Sequence, residues 1–344
     1  MDIYSIIKWY HSIKSPRLKL LGILGLHVLH KRYLYIAMDP ALACNLRCRM
    51  CYFSDPATLD EMGGRFTDED IKAIASTVFH RGLKLQIGCG AEPTTYKALP
   101  ELVKIAKEKG IPNISITTNG NLLTLNSLRQ LVDNGLDELI LSTHGMSKEV
   151  YERLMVKASF DSFTKLLDNI AIVRKEHPAL RVRINYTMCA DNMDDLKQFP
   201  AVFQNLKPDI IQLRPVQDIG SSEYDNYSVE PIVRKYEDCI KPIVKYCADN
   251  QITCLYPKLE NLTVIAHDNK KKQHLNSVVD MLPYFHLSPF KGWKSEFNPY
   301  EETFEQFACR THRVRNILRM LFGWKPASVN NQEDTTRALN YNVK

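Results

Sequence analysis

The 344-residue sequence predicts an α/β fold built on parallel strands. Short apolar runs alternate with helix-type runs from about residue 33 onward. A polar, glycine-rich segment follows one apolar run after another. The predicted strand ends are far enough apart for a helical crossover between neighbours, and they fall near residues 40, 90, 120, 145, 188 and 216. A barrel with appendages and a doubly wound open sheet both satisfy these observations.

Six apolar segments are predicted as strands, because a buried parallel sheet needs apolar side chains. They are YLYIAMDP, LKLQIGCG, NISITTNG, ELILSTHG, RVRINYTM and IIQLRPV. The first helix of the alternation is TDEDIKAIASTVFHRG, with Thr67 as its N-cap and a glycine as its stop. The later helices are ALPELVKIAKEKG, LNSLRQLVDNG, FDSFTKLLDNIAIVRKE, MDDLKQFPAVFQNL and PIVRKYEDCIKPIVKYCADN. The chain therefore predicts six strand–helix units.

The sequence divides into four parts. Residues 1–32 predict a basic amphipathic segment, and residues 33–258 predict the core barrel. Residues 259–325 are rich in aromatic residues and proline, which indicates a capping extension rather than another strand–helix unit. Residues 326–344 predict a disordered tail. Four side chains are expected either to cover the barrel mouth or to pack in the ordinary way: Tyr256, Tyr284, His286 and Trp293.

Composition and charge exclude some functions and favour others. No apolar run approaches the roughly 20 residues of a membrane span, and the start of the chain does not resemble a signal peptide. We therefore expect a cytoplasmic protein whose nine cysteines serve metal binding or catalysis. Residues 1–35 carry six Lys/Arg and one acid, and residues 306–332 carry five Lys/Arg and no acid. These ends are either solvated helix faces or a peripheral contact with an anionic surface, such as the inner face of a membrane.

Motifs for other chemistries are absent from the sequence. It contains no G-x-x-x-x-G-K phosphate loop and no H-E-x-x-H zinc motif. It also lacks the signature of a nucleic-acid-binding module, so no nucleic-acid partner is expected.

Polar residues fall at the end of each predicted strand. Because the carboxyl ends of parallel strands meet at one edge, these residues predict a common site in either architecture. After the cysteine loop, the residues in question are Glu92, Thr118, Asn119, Ser142, His144, Asn185, Cys189 and Arg214.

Three cysteines follow the first strand with C-x3-C-x2-C spacing, at Cys44, Cys48 and Cys51. Thiolates bind zinc or iron–sulfur clusters, and a structural zinc site needs four ligands. Cys89 could be the fourth zinc ligand, and buried structural thiols are a further alternative. A cubane cluster held by three thiolates leaves one iron open to a substrate or cofactor. The remaining cysteines form no C-x-x-C pair, so a single cluster is expected.

The cysteine motif, GAEP after the second strand, TTNG after the third and STHG after the fourth resemble the radical S-adenosylmethionine (radical SAM) superfamily over residues 33–216. The resemblance implies a partial (β/α)6 barrel of the TIM type. It also implies a [4Fe–4S] cluster on Cys44, Cys48 and Cys51, with S-adenosylmethionine (SAM) chelating the open iron. Reductive cleavage of SAM would give a 5′-deoxyadenosyl radical, which takes a hydrogen atom from a substrate.

The resemblance also assigns residues to the SAM pocket. Ala91 replaces the second glycine of the family's GGEP motif, which would alter the turn slightly. Arg153 or Lys157 would bind the SAM carboxylate. Glu92 would face the SAM ammonium group, and Ser142 would reach its ribose or carboxylate. The full predicted set is Gly90, Glu92, Pro93, Thr118, Asn119, Ser142 and Asn185.

The substrate and its catalytic residues are less determined. Cys189 could return a hydrogen atom to a substrate radical, or it could be a small core residue. Arg214 could bind a carboxylate or phosphate, or it could form a structural ion pair. His144 could donate a proton, or it could be structural. The expected substrate is a peptide or a small metabolite, including a lipid-linked one, and the reductant a flavodoxin or ferredoxin. The alternative is a zinc- or iron–sulfur-stabilised binding protein without turnover.

Overall fold

The computed structural model describes residues 3–217, 219, 221–225, 227–262 and 275–323. Its main feature is an eight-stranded sheet in which every pairing is parallel. The strands, in chain order, are β1 (Leu34–Met38), β3 (Gly82–Ile87), β4 (Asn113–Thr118), β5 (Glu138–Thr143), β7 (Arg181–Met188), β8 (Ile210–Pro215), β9 (Thr253–Leu255) and β10 (Tyr284–Leu287). The spatial order is β10-β1-β3-β4-β5-β7-β8-β9. Two short strands, β2 (Arg47–Cys48) and β6 (Met155–Val156), pair separately and antiparallel.

Helices connect the strands and flank them at both ends of the chain. They are α1 (Ile3–Ser12), α2 (Pro16–Val28), α3 (Pro56–Glu61), α4 (Asp68–Thr77), α5 (Leu99–Glu108), α6 (Leu125–Asp133), α7 (Lys148–Leu154), α8 (Phe160–Glu176), α9 (Phe199–Val202), α10 (Glu230–Arg234), α11 (Lys241–Asp249), α12 (Leu275–Met281), α13 (Trp293–Glu296), α14 (Phe304–Arg310) and α15 (Arg313–Leu321). Thr67 caps α4 in a capping box with Asp70, as its position before the acidic first turn predicts. Within the described residues, none of the helices combines the length and the hydropathy that crossing a bilayer requires.

The two faces of the sheet differ in polarity, and this difference identifies the architecture. One face is apolar and belongs to the main core, as Ile87, Ile116, Leu141 and Ile184 illustrate. Side chains alternate along a strand, so the residues between these point to the other face. A doubly wound sheet is covered by helices on both faces and needs apolar residues on both. Here only one face is apolar, which fits a partial barrel with a polar interior.

Buried charges lie on the polar face near the amino ends of the strands. The Glu138 carboxylate on β5 accepts hydrogen bonds from Lys84 Nζ of β3, at 3.0 Å, and from Arg183 of β7, at 2.8 and 2.9 Å. Burial lowers the pKa of Lys84, although the Glu138 carboxylate acts against this shift. The network joins three strands through one carboxylate at the bottom of the barrel interior.

The α/β fold with a partial barrel is confirmed, and all six predicted strands are present. The segment after residue 260 differs from its prediction. We expected a cap without a further strand, but Tyr284–Leu287 forms β10 and pairs with β1. The segment is short and its strand is an edge strand, so it lacks the long apolar run of a central strand. The predicted tail at 326–344 lies outside the described residues.

Candidate active site

The cysteine loop lies between β1 and α3, at the carboxyl edge of the sheet. Cys44, Cys48 and Cys51 are all half-buried free thiols. Burial raises the pKa of Cys44 to about 11 and holds the pKa of Cys51 above its usual range. The pKa of Cys48 is raised by burial and then by the neighbouring thiols of Cys51 and Cys44. The effects of Cys51 and Cys44 on the pKa of Cys48 indicate that the three sulfurs are near one another. The Arg47 charge opposes the rise in the pKa of Cys44 and Cys51 without cancelling it, and a bound iron cluster would stabilise the thiolates further.

The same region does not fit a closed zinc site. The Cys89 thiol donates to the Gln86 carbonyl oxygen at 3.7 Å, and the three motif thiols do not influence its pKa. Among the described residues, no three His, Cys, Asp or Glu side chains converge on a point where they could hold a single metal ion. A cubane takes one thiolate on each iron, so its ligands do not have to meet at one point. The donor set fits a [4Fe–4S] cluster better than it fits zinc.

Asp39, which directly follows β1, holds the GAEP loop. Its carboxylate accepts hydrogen bonds from the backbone N–H groups of Cys89 at 2.8 Å, Gly90 at 3.1 Å and Ala91 at 3.2 Å. The Tyr52 hydroxyl, one residue beyond the last cysteine of the motif, donates to the Gly90 carbonyl. The loop is therefore fixed from one side by β1 and from the other by the cysteine loop.

The glycine that this turn requires is Gly88. Its φ is +85°, and a Cβ there would lie 2.3 Å from the Thr117 carbonyl oxygen. Ala91 is not among the residues with positive φ. The alanine that replaces a glycine in GAEP therefore adds a methyl group without strain, and the expected change in the turn is not required.

Glu92 connects the loops after β3 and β4. Its Oε1 accepts from Thr118 Oγ1 at 2.6 Å and from the Thr94 backbone N–H at 3.0 Å, and its Oε2 accepts from the Asn119 N–H at 2.8 Å. Burial raises the pKa of Glu92, while these donors act in the opposite direction. Two of the predicted SAM residues, Thr118 and Asn119, are therefore held in place by a third.

These two loops also reach the cysteine loop directly. Asn119 Nδ2 donates to Asn45 Oδ1 at 2.9 Å and lies 4.0 Å from Cys44 Sγ. The Glu92 N–H donates to the Ala43 carbonyl at 2.9 Å. The cysteine, GAEP and TTNG motifs, which lie far apart in sequence, thus form one hydrogen-bonded unit.

A row of polar residues crosses the interior face of the sheet. Ser142 of β5 is in register with Asn185 of β7, which is in register with Gln212 of β8. Asn185 and Gln212 are buried, and Asn185 Oδ1 and Gln212 Oε1 have no hydrogen-bond partner in the described protein. An unpaired buried acceptor is costly, so these two oxygens mark a place where a bound molecule would donate hydrogen bonds.

Arg214 lies two residues beyond Gln212, and His144 lies two residues beyond Ser142, so both are nearer the carboxyl edge of the sheet. Arg214 Nε donates to Thr187 Oγ1 at 3.3 Å. His144 is buried with Nδ1 unpartnered, and burial, reinforced by the Arg214 charge, lowers its pKa to about 4. His144 is therefore neutral at physiological pH, whereas the guanidinium of Arg214 remains available for an anionic group.

Cys189 lies in a small apolar cluster apart from the main core. It packs with Met50 of the cysteine loop and with Tyr224, and it is fully buried. Its thiol donates to the Tyr224 hydroxyl at 3.8 Å, and that hydroxyl donates to Asp191 Oδ2 at 2.5 Å. Burial raises the pKa of Cys189. The thiol is therefore protonated and next to the residue that precedes Cys51.

The remaining candidates have less specific surroundings. Arg153 is exposed and donates to the Asp191 carbonyl at 3.0 Å, whereas Lys157 is exposed with a φ of 72°. Of the four residues expected at the mouth, Tyr256 packs on the core, Tyr284 lies 4.5 Å from the Tyr35 ring, Trp293 contacts Phe66, and His286 Nε2 lies 3.5 Å from Asp39 Oδ2.

Sequence reasoning missed Asp39 and Gln212. An acid at the end of the first strand, in MDP, could have indicated a loop anchor, because carboxylates accept from exposed backbone N–H groups. Gln212 could have been found from its alternation with the apolar residues Ile211 and Leu213 on β8.

Comparisons with known proteins agree with this geometry. Residues 38–199 match the family model of the radical SAM superfamily. The GTP 3′,8-cyclase of Chlorobaculum tepidum is 30% identical over 188 residues, which cover 54% of this chain and 54% of that protein. The PqqA peptide cyclase of Bradyrhizobium diazoefficiens is 26% identical over 208 residues, which cover 60% of this chain and 53% of that protein. The chain thus spans about half the length of these relatives.

Solved structures show the same fold. SuiB of Streptococcus suis, bound to the precursor peptide SuiA, aligns with a TM-score of 0.57 at 15% identity, covering 92% of this chain and 70% of SuiB. The structure of anSMEcpe with bound AdoMet aligns with a TM-score of 0.52 at 16% identity, covering 64% of each chain. The family model, the relatives and the motif geometry agree that residues 38–199 match the radical SAM superfamily, whose members use a [4Fe–4S] cluster and SAM.

Proposed function

We propose that this chain is a radical SAM enzyme that takes a hydrogen atom from a polar substrate bound inside the barrel. The observation that carries the proposal is the single hydrogen-bonded unit formed by the cysteine, GAEP and TTNG motifs. Cys44, Cys48 and Cys51 would hold the cluster. The chemistry that cluster and SAM supply when bound is one-electron cleavage of the sulfonium to methionine and a 5′-deoxyadenosyl radical.

The protein residues around the cysteine loop would position SAM. Asp39 fixes the backbone of Gly90 and Ala91, and Glu92 fixes Thr118 and Asn119. The remaining acceptor capacity of Glu92 would serve the ammonium group of SAM, as a charge-assisted contact. Ser142 and Asn185, in register on neighbouring strands, would bind the ribose or carboxylate of SAM.

The substrate class follows from the interior of the barrel. Gln212 Oε1 would accept a hydrogen bond from it, and Arg214 would bind a carboxylate or phosphate. We propose a peptide or a small metabolite with an anionic group, including one attached to a lipid. Cys189 would be a hydrogen donor to a substrate radical only if the Tyr224 contact opens, because the thiol is fully buried.

The electron donor would be a flavodoxin or ferredoxin. We place the reaction in the cytoplasm, since all nine cysteines are free thiols and the reaction requires a strong reductant. We place it at the inner membrane surface because residues 1–35 and 306–332 are rich in Lys and Arg, which anionic lipids attract. The relatives do not select the substrate, because one is named for GTP and another for the PqqA peptide.

The cofactor part is tested by anaerobic reconstitution with iron and sulfide. Dithionite-reduced protein given SAM should form 5′-deoxyadenosine, measured by mass spectrometry, and Cys48→Ala should abolish it and lower bound iron. Cys309→Ala is the matched control, because Cys309 is an exposed thiol on α14 and far from the motif in sequence. Zinc-loaded protein without cleavage would instead support the binding-protein alternative, which nothing in the comparisons favours.

The substrate part is tested with extracts of cells grown in deuterated medium, separated into small-metabolite, peptide and lipid fractions. The fraction that contains the substrate should transfer deuterium into 5′-deoxyadenosine. Arg214→Gln should reduce that transfer while uncoupled SAM cleavage continues. If Arg214→Gln changed neither, Arg214 would have no part in substrate binding.

A further inference from the structure

The outer surface of α2 has an unusual composition. Between Leu18 and Leu29, every exposed residue is a leucine, a valine or a glycine. The exposed fractions of Leu18, Val28 and Leu29 are 60%, 57% and 67%. Single exposed aliphatic residues are ordinary, whereas a continuous apolar face is the mark of an interaction site. The exposed members are Leu18, Leu21, Gly22, Leu26, Val28 and Leu29, and together we call them the α2 face.

The helix is firmly attached to the body of the protein on its opposite side. Leu20 and Ile23 are buried, and Lys19 Nζ lies 2.6 Å from Asp280 of α12. The helix is thus apolar on both sides, with its lysine on the inner side. The α2 face stays exposed in this arrangement.

The residues that flank the α2 face in sequence include cations and no acid. Lys14 and Arg17 precede it and Lys31 follows it, all exposed, and residues 3–35 contain no Asp or Glu. On α1, Trp9 is 66% exposed. Tryptophan rings favour the headgroup level of a bilayer, and lysine and arginine are attracted to anionic lipids.

A second helix of the same kind packs against α2. Helix α15 exposes Leu318 and Phe322, and Arg315 and Arg319 lie on it one turn apart. The four residues line a groove of about 570 Å³, whose lining also includes His27 of α2, Arg313 and one acid, Glu305. The groove therefore combines apolar side chains with an excess of cations over acids.

We propose that α2, together with α15, docks the protein on the surface of an anionic lipid bilayer. A second copy of this chain fits less well. A two-fold interface brings a patch onto its own equivalent, so Lys14, Arg17 and Lys31 would face the same cations. A bilayer surface instead offers phosphate groups to the cations and acyl chains to the leucines. The inference identifies the surface for the membrane location proposed above and is independent of the radical chemistry.

The test is co-sedimentation of the full chain with vesicles of phosphatidylcholine containing phosphatidylglycerol, and with phosphatidylcholine alone. Binding to the anionic vesicles that weakens with salt is expected. Leu21→Glu with Leu29→Glu should weaken it at least tenfold, and Lys14→Gln or Arg17→Gln by roughly fivefold each. The control is Leu122→Glu with Ile172→Glu, which adds the same charge at exposed positions elsewhere and should leave binding unchanged.

The outcomes distinguish a lipid bilayer from a second copy of this chain as the partner of the α2 face. No binding to either vesicle, or equal binding of the α2 variant and the control, would overturn the proposal. So would a dimer in light scattering that the α2 variant alone dissociates, since that would assign the face to a second copy. Vesicle binding requires no cluster, so a negative result in the vesicle assay leaves the test of SAM cleavage unaffected. A negative result in the SAM-cleavage assay likewise leaves the vesicle test unaffected.

Discussion

Two carboxylates do most of the positioning at the candidate active site. Asp39 gathers three consecutive backbone N–H groups, and Glu92 gathers donors from two loops. The sequence located Glu92 through the resemblance of GAEP to the family's GGEP motif. It did not indicate that Glu92 would be occupied by protein donors, since hydrogen-bond partners depend on how loops from different strands meet. The roles of the individual SAM residues stay predictions.

At the scale of single residues, His144 should make the stability of the folded protein depend on pH. Its folded pKa is about 4, below the usual 6.5, so the folded protein binds fewer protons than the unfolded chain between these values. Stability should therefore be complete above pH 6.5 and fall as the pH decreases toward 4. The loss at pH 5 relative to pH 7 should be about 2 kcal/mol from this residue alone.

Urea denaturation of the wild type and His144→Gln at both pH values isolates the effect, because other groups contribute equally to each protein. The variant should lose less stability between pH 7 and pH 5. Parallel losses in the two proteins would show that His144 is solvated when folded and titrates normally.

At the scale of elements, the polar interior of the sheet distinguishes this fold from a doubly wound one. Polar and apolar residues alternate along the predicted strands RVRINYTM and IIQLRPV. The apolar content of the strands alone does not separate the two architectures, whereas this alternation does. Strand β10 was less accessible to prediction, because its place beside β1 depends on contacts between residues about 250 positions apart.

The charged network across β3, β5 and β7 gives a prediction at this scale. Glu138→Gln would remove the carboxylate that the buried Lys84 shares with the partly exposed Arg183. The free energy of unfolding should fall by about 3–5 kcal/mol, because breaking a buried ion pair from one side is costly. Lys84→Met is the comparison, since Glu138 keeps its contacts with Arg183.

Chemical denaturation measures both variants. The loss in Lys84→Met should be clearly smaller than that in Glu138→Gln. Similar losses would indicate that packing at this level of the barrel matters more than charge balance.

At the scale of the whole molecule, the C-terminal segments complete the sheet that begins with β1. Strand β10 covers the free edge of β1, and Phe285 packs with Phe297, Phe304 and Phe307. The region predicted as a cap is therefore also part of the sheet. The boundaries of the four predicted parts remain predictions.

Removal of residues 275–344 should expose the β1 edge and the apolar residues Leu34 and Ile36, so the shortened protein should aggregate. Removal of residues 326–344 alone, the predicted disordered tail, should leave the melting temperature unchanged. Soluble yield and circular dichroism of the two truncations test this. A soluble, folded protein lacking β10 would show that the barrel is stable without its edge strand.

The contact between β10 and Asp39 has a consequence for biosynthesis. The N–H of Asp39 donates to the Leu287 carbonyl at 3.0 Å, and His286 lies beside its carboxylate. The residue that shapes the GAEP loop therefore gains its last support only after nearly 290 residues have left the ribosome. The three motif cysteines therefore leave the ribosome long before the GAEP loop beside them is fully supported.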